Sequence, residues 1–187
     1  YGKYEAVFDK TNFFYVPYSK EDAVGRSIRS IFTMEFLFSP DGGINPFSSM
    51  EYGGLGFELK NTEEVSNLSF WYNIGGEYVL PGDSFMTEIE FGQKLYYHVF
   101  VTYDGNLFKM FVDGNKIADY RVSGTFFFPR QSTALQLLFG IGGDYIDKAE
   151  IDFQNGFQGK IIQAKLYMGT LSEYTIKQIT EATKSLS

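Results

Sequence analysis

Tyr96-Tyr97-His98-Val99-Phe100-Val101-Thr102-Tyr103-Asp104-Gly105-Asn106-Leu107-Phe108-Lys109-Met110-Phe111-Val112-Asp113-Gly114-Asn115-Lys116 holds two runs of β-branched and aromatic residues, each closed by Asp-Gly. Such runs suit pleated strands. Asp-Gly suits tight hairpins, because both central residues of a mirror-type turn need positive φ, which Gly adopts freely and Asp tolerates by bonding its own backbone. Gly105 and Gly114 are therefore expected to mark strand reversals, and the segment predicts an antiparallel meander.

The same punctuation recurs at Asp41-Gly42-Gly43, Gly53-Gly54, Gly75-Gly76, Pro81-Gly82-Asp83, Gly142-Gly143 and Asn155-Gly156, with short strand-like runs between. In Ile31–Phe38 the apolar Phe32, Met34, Phe36 and Phe38 alternate with Thr33 and Glu35, which gives a core face and an outer face. Leu68, Phe70, Tyr72 and Ile74 alternate with Ser69, Trp71 and Asn73, and Ile162, Ala164 and Leu166 with Gln163, Lys165 and Tyr167. Only Leu171 onward reads as helix, with Ser172 as N-cap and Leu171 placed to staple onto Ile176. The pattern is that of an all-β sandwich with a short C-terminal helix.

Composition agrees. A chain of 187 residues, 44% hydrophobic and carrying 20 Phe and 14 Tyr, suits one domain over 1–187 with a ring-rich β core. It has no cysteine, which excludes disulfides and thiolate metal sites and leaves the compartment open. The net charge of −7, with 16 Lys and Arg scattered along the chain, makes nucleic acid a poor partner. No apolar run approaches the roughly 20 residues of a membrane span. Tyr1-Gly2-Lys3-Tyr4-Glu5 lacks a signal-peptide pattern, and a first residue other than Met points to a processed form or a domain excised from a longer protein.

Four segments, in order and in spacing, resemble laminin-G-like, concanavalin A-type jelly-roll domains. Ala6-Val7-Phe8-Asp9 through Val16-Pro17 is similar to the family's opening strand, and Phe32-Thr33-Met34-Glu35-Phe36 to its Phe-Thr-x-Glu strand. The meander is similar to its central Trp-x-His-Val and Asp-Gly signature, and Gly159-Lys160-Ile161 with Leu171-Ser172 to its closing strand and helix. The resemblance implies an antiparallel jelly-roll β-sandwich, concanavalin A-like, and a non-catalytic carbohydrate-binding or adhesion module of a secreted or cell-surface protein. It implies a glycan or polysaccharide as partner. The alternative is a protein-binding or architectural domain packed beside a catalytic domain, and the third reading is a glucanase-type hydrolase. Three positions depart from the pattern: Lys10 replaces a usual Gly and Tyr96 a usual Trp, both expected as packing changes, and Gln163 stands where many members carry Asp. Some members hold a structural calcium through carboxylates, so the Gln163 departure bears on that site.

Glu150-Ile151-Asp152-Phe153-Gln154-Asn155 is similar to the Glu-x-Asp-x-x-Glu strand of retaining glucanases, with the last acid missing. Retaining hydrolysis needs two carboxyl groups about 5 Å apart, and an amide cannot donate the proton. The expectation is therefore no enzyme, with Glu150 and Asp152 on a solvated strand or loop. His98 is the only histidine and has no nucleophile beside it in sequence, so a structural role is expected. Asp144, Asp147 and Asp152 offer hard oxygens that suit Ca²⁺, against a bland reading as solvated turn acids. Trp71 is the leading binding candidate, because sugar rings stack their C–H faces on aromatics while their hydroxyls seek amides and carboxylates. Asn73, Glu35, Gln163 and Lys165 have the parity to share a platform with it. Against this stands a Trp71 covered by a loop such as 42–52, or a strand that belongs to the back sheet. Tyr52, Tyr78 and Tyr145 flank Gly-rich turns and are candidates for a rim.

Overall fold

The computed structural model describes residues 5–42, 47–49, 55–61, 66–74, 77–79, 87–89, 96–122, 135–140 and 156–184. Their strands form two antiparallel sheets. Six strands lie in the order β1 (Ala6–Asp9), β13 (Gln158–Tyr167), β3 (Phe32–Gly42), β9 (Tyr97–Tyr103), β10 (Leu107–Val112) and β11 (Asn115–Arg121). The second sheet runs β2 (Phe14–Tyr18), β12 (Leu135–Phe139), β4 (Phe47–Ser49), β5 (Leu55–Asn61), β6 (Ser66–Ile74) and β7 (Glu77–Val79), with β8 (Thr87–Ile89) also paired to β6. This is the sandwich that the strand pattern predicts, in the jelly-roll form that the resemblance implies.

Alternation supplies the core. Phe32, Met34, Phe36 and Phe38 of β3, Val99, Val101 and Tyr103 of β9, and Leu55, Phe57, Leu68, Phe70 and Tyr72 of the facing sheet pack in one buried cluster. Tyr103 and Phe108 stack within the six-stranded sheet with centroids 4.2 Å apart, and Phe108 meets Tyr72 of the facing sheet edge-on at 4.8 Å, which joins the two layers. The Tyr72 hydroxyl donates to the Ile28 carbonyl at 2.8 Å, so its one polar atom is satisfied inside that cluster.

The meander forms, but its two turns differ. At the second, Asp113 (φ 52°) and Gly114 (φ 85°) both have positive φ and Val112 pairs directly with Asn115, the expected two-residue turn. At the first, only Gly105 (φ 94°) is left-handed. There Asp104 acts through its side chain, whose Oδ1 accepts from the backbone N–H groups of Asn106 and Leu107. The loop is longer than a mirror turn, and the aspartate caps it.

Two helices are present among the described residues. α2 (Glu173–Lys184) matches the expectation: the Ser172 hydroxyl accepts from the Thr175 N–H at 3.1 Å, and Leu171 packs against Ile176. Ile176 also meets Phe100 and Phe111, so α2 lies across β9 and β10 on the side away from the main core. α1 (Ala23–Ile28) was not expected; Asp22 caps it, accepting from Gly25 N, and exchanges side chain to backbone bonds with Ser19.

Three further strand expectations change. β3 runs through Asp41-Gly42 rather than turning there. Thr33 and Glu35 are both 0% exposed although they stand on its outer face. In β13 a register shift between Ile161 and Gln163 sends Ile161 into the core place expected of Ile162, while Ala164 keeps the expected phase opposite Phe36 and is nonetheless exposed.

Lys10, expected as a packing change, is a backbone feature. Its φ is 68°, a conformation glycine adopts more readily, and Asp9 closes the turn by accepting from Thr11.

Candidate functional site

Two groups of residues bear on function, one at outer-face positions of each sheet. On the six-stranded sheet, β3 pairs with β9 on one side and β13 on the other, so Glu35 lies across from Phe100 and Lys165. His98, two residues along β9, shares its face. The His98 Nε2–H donates to Glu35 Oε1 at 2.8 Å, and the Gln163 amide donates to the same oxygen. The Tyr167 hydroxyl donates to Oε2, with the Lys165 ammonium 3.6 Å away. The bulge at Ile161–Gln163 sets this phase, because it puts Gln163, Lys165 and Tyr167 on the face of Glu35.

Burial alone would push the Glu35 carboxyl up, but the hydrogen bonds from His98 and Tyr167 and the charge of Lys165 hold it below its ordinary range. Burial and the bond to Glu35 push the Tyr167 phenol up. His98 Nδ1 is buried without a partner, which favours the tautomer with its proton on Nε2. Both Glu35 oxygens are engaged by donors, and its bonded neighbours are an imidazole, an amide, a phenol and an ammonium. None of these can act as the second carboxyl of a glycosidase. The cluster therefore braces β3, β9 and β13.

Glu35 thus does not belong to an open binding floor. Gln163 serves as its amide donor; an aspartate there would set carboxylate against carboxylate. Lys165 remains 46% exposed beside it.

Trp71 and Asn73 lie on β6, in the seven-stranded sheet, so the shared platform expected for the five residues divides between the two sheets. Leu68, Phe70 and Tyr72 are buried in the core. The alternate positions Asn67, Ser69, Trp71 and Asn73 then share the outer face of their sheet. Neighbouring strands continue that face by register: Gly56 stands opposite Trp71, Glu58 opposite Ser69, Lys60 and Glu88 opposite Asn67, and Tyr78 opposite Asn73. Tyr78, a candidate for the loop rim, is a strand residue of β7. The cross-strand register that joins it to Asn73 is a three-dimensional fact that alternation within one strand does not carry.

Asp144, Asp147 and Asp152, the Glu150–Asn155 motif, Tyr52 and Tyr145 lie outside the described residues. Among the described residues no three acidic or imidazole side chains gather to hold a metal ion.

A third feature is apolar. A cleft of about 580 Å³ opens between the sheets beside their edge strands β1 and β2, lined chiefly by Phe14, Val16, Phe139, Ile161 and Ile162. Beside it Val7, Phe14, Tyr15 and Val16 are 57%, 41%, 53% and 42% exposed.

Residues 22–177 match the family model for the concanavalin A-like lectin/glucanases superfamily. No curated protein matches the chain in sequence. The chain is similar in structure to the binding domain of Paraclostridial Mosquitocidal Protein 1, at 13% identity and a TM-score of 0.63, over 96% of this chain and 43% of that one. It is also similar to domain 4 of an extracellular arabinanase from Geobacillus stearothermophilus, solved in complex with arabinotriose, at 15% identity and a TM-score of 0.58, over 81% of this chain and 67% of that one. The binding domain of botulinum neurotoxin DC, solved in complex with SialylT, is a third, at 12% identity and a TM-score of 0.56, over 91% of this chain and 39% of that one. The chain thus spans less than half the length of the two toxin binding domains. At these identities the likeness is one of fold.

Proposed function

The chain belongs to the concanavalin A-like lectin/glucanases superfamily, and from that premise we propose that it is a non-catalytic glycan-binding module of a secreted or cell-surface protein. The observation that carries this reading is the register of β5, β6 and β7, which aligns Trp71, Asn73 and Tyr78 on one face with Ser69 and Glu58. Aromatic and hydrogen-bonding residues in one row suit the two faces of a sugar, apolar C–H and polar hydroxyl. The similar folds solved with arabinotriose and with SialylT support the same reading. So does the saturation of Glu35, which leaves that carboxylate no free oxygen to act as a nucleophile.

The test is a glycan array with the wild-type chain and Trp71→Ala, each checked by its melting curve. The variant is expected to lose array binding while melting within about 2 °C of the wild type. Unaltered binding would remove Trp71 from the site. The arrays are repeated with EDTA, since a contribution of Asp144, Asp147 and Asp152 through Ca²⁺ would weaken binding on chelation.

A second reading, protein binding beside a catalytic domain, is favoured by the apolar edge at Val7, Phe14, Tyr15 and Val16. It predicts that a charged substitution at Tyr15, and not Trp71→Ala, disrupts the partner contact.

A further inference from the structure

We infer that the hollow between the β9–β10 turn and the start of α2 is a binding site for a single neutral sugar ring. It lies on the six-stranded sheet and does not rest on the Trp71 reading. The cavity measures about 260 Å³ and is bounded by β9, β10, the turn between them and residues 170–173. That is below the roughly 300–1,000 Å³ of drug-sized sites, so it has room for one ring and not for a chain.

Thr102 carries the argument. The residue lines the cavity although it is only 4% exposed, and its hydroxyl has no hydrogen-bond partner among the described residues. Nor is that hydroxyl sealed off, as the partnerless Tyr18 and Tyr103 hydroxyls are, so it opens to the cavity. A valine would fill the same space in β9 with no polar group to satisfy, and a largely buried hydroxyl costs stability unless something bonds it. A ligand in the cavity would supply the missing partner.

The neighbouring groups define its chemistry. Lys109 stands opposite Thr102 across the strand pair, and its ammonium donates to Glu173 Oε1 at 3.0 Å. That bond uses one of three ammonium hydrogens and one of two carboxylate oxygens. In the turn, Asp104 Oδ1 accepts from the N–H groups of both Asn106, at 2.9 Å, and Leu107, at 2.7 Å, while Oδ2 takes no donor from the described residues. What is left to a ligand is two carboxylate oxygens, ammonium hydrogens and a hydroxyl. Sugar hydroxyls donate and accept at once, and so match the whole set. An anion would meet two carboxylates against one ammonium, and an amine would meet Lys109. Two carboxylates also fall well short of the six to eight oxygens that Ca²⁺ takes.

The walls stand ready before any ligand arrives. Asp104 is fixed by its two backbone donors, and the Leu171 N–H donates to Thr33 Oγ1 at 2.9 Å, which in turn donates to the Gly169 carbonyl at 2.9 Å. Little ordering is left for binding to impose. Leu107 and Leu171 add apolar surface against which the C–H face of a ring can lie.

The experiment follows backbone amide shifts by NMR as glucose, galactose, mannose and arabinose are titrated in, with galacturonate as the anionic probe and glucosamine as the amine. At least one neutral sugar is expected to give saturable shifts at residues 102–109 and 170–173, with a millimolar Kd, as suits a ligand of about a dozen heavy atoms. Thr102→Val should weaken that binding about three- to tenfold and leave the melting temperature unchanged or higher, whereas a hydroxyl kept for structure would lower it on removal. Lys109→Met should weaken binding by a similar factor, and it carries the test should Thr102→Val fail to fold. Tighter binding here of galacturonate or glucosamine than of every neutral sugar would overturn the assigned ligand class. Saturable shifts only at other residues, no saturable shift with any probe, or full affinity in both variants would overturn the site.

Discussion

Glu35 shows how one carboxylate can brace three strands. Its charge is buried, and the donors that satisfy it come from β9 and β13. Replacing the carboxylate leaves the donors of His98 and Tyr167 facing a neutral side chain, and a hydrogen bond to a charged group contributes about 1.5–3 kcal/mol. Glu35→Gln is expected to cost about 2 kcal/mol or more at pH 7 in urea unfolding. The pH dependence has a definite sign. The folded-state pKa lies below the ordinary value of 4.5, so the contribution of Glu35 is present above that value and is lost as pH falls through the folded pKa. The stability difference between wild type and Glu35→Gln should therefore shrink as pH is lowered from about 5 toward 3. Exposed carboxylates such as Asp9 and Glu173, also held low by hydrogen bonds, titrate in both proteins and cancel in that difference. At Lys10, whose φ is 68°, Lys10→Gly should raise stability by about 0.5–1 kcal/mol, read from the denaturant midpoint. Glu35 looks, in sequence, like the polar partner in an alternating strand. That it is buried depends on β13 and on a bulge no local pattern announces.

At the scale of elements, α2 is a cap on the outer face of the six-stranded sheet and not a surface ornament. Ile176 is fully buried against Phe100 and Phe111, and Lys109 pairs with Glu173 at the helix start. Ile176→Ala should cost about 2–4 kcal/mol and Ser172→Ala about 1 kcal/mol, measured by thermal or chemical denaturation. Lys109→Ala should cost little, since that ion pair is solvent-exposed. This helix is legible in sequence because cap, staple and apolar spacing coincide within ten residues. α1 is not, because six residues give under two turns of periodicity and Gly25 sits inside them. The reason for that glycine is spatial: a Cβ there would lie 2.1 Å from the Ser19 carbonyl oxygen. The strands of the meander were legible for the opposite reason, being long, β-branched and closed by turn residues, although only the second turn has the mirror geometry that Asp-Gly suggests.

For the molecule as a whole, the two outer faces carry different duties. The six-stranded sheet spends its outer face on the Glu35 cluster and on α2, while the Trp71 row lies on the other sheet, with the aromatic core between them. Substitutions on the two faces should therefore act independently. Glu35→Gln should lower stability and leave glycan affinity within about twofold, Trp71→Ala should do the reverse, and the double variant should show the sum in calorimetry and denaturation. The sandwich itself was legible from composition, alternation and turn spacing. The division of polar residues between its sheets was not, since parity tells which side of a strand a residue occupies and never which sheet owns the strand.

The pairing of β1 with β13 sets when folding can finish. Ala6 meets Ile161, and Gly159, whose Cβ would lie 2.2 Å from the Ser39 carbonyl oxygen, fits β13 closely against β3. The six-stranded sheet cannot close at β1 until β13 is present, so β1 must wait for a strand far along the sequence before it gains its partner. A topology this rich in distant pairings folds slowly, in milliseconds to seconds or longer. Until β13 arrives, β1 is a strand without its partner, and so a place where mispairing can begin.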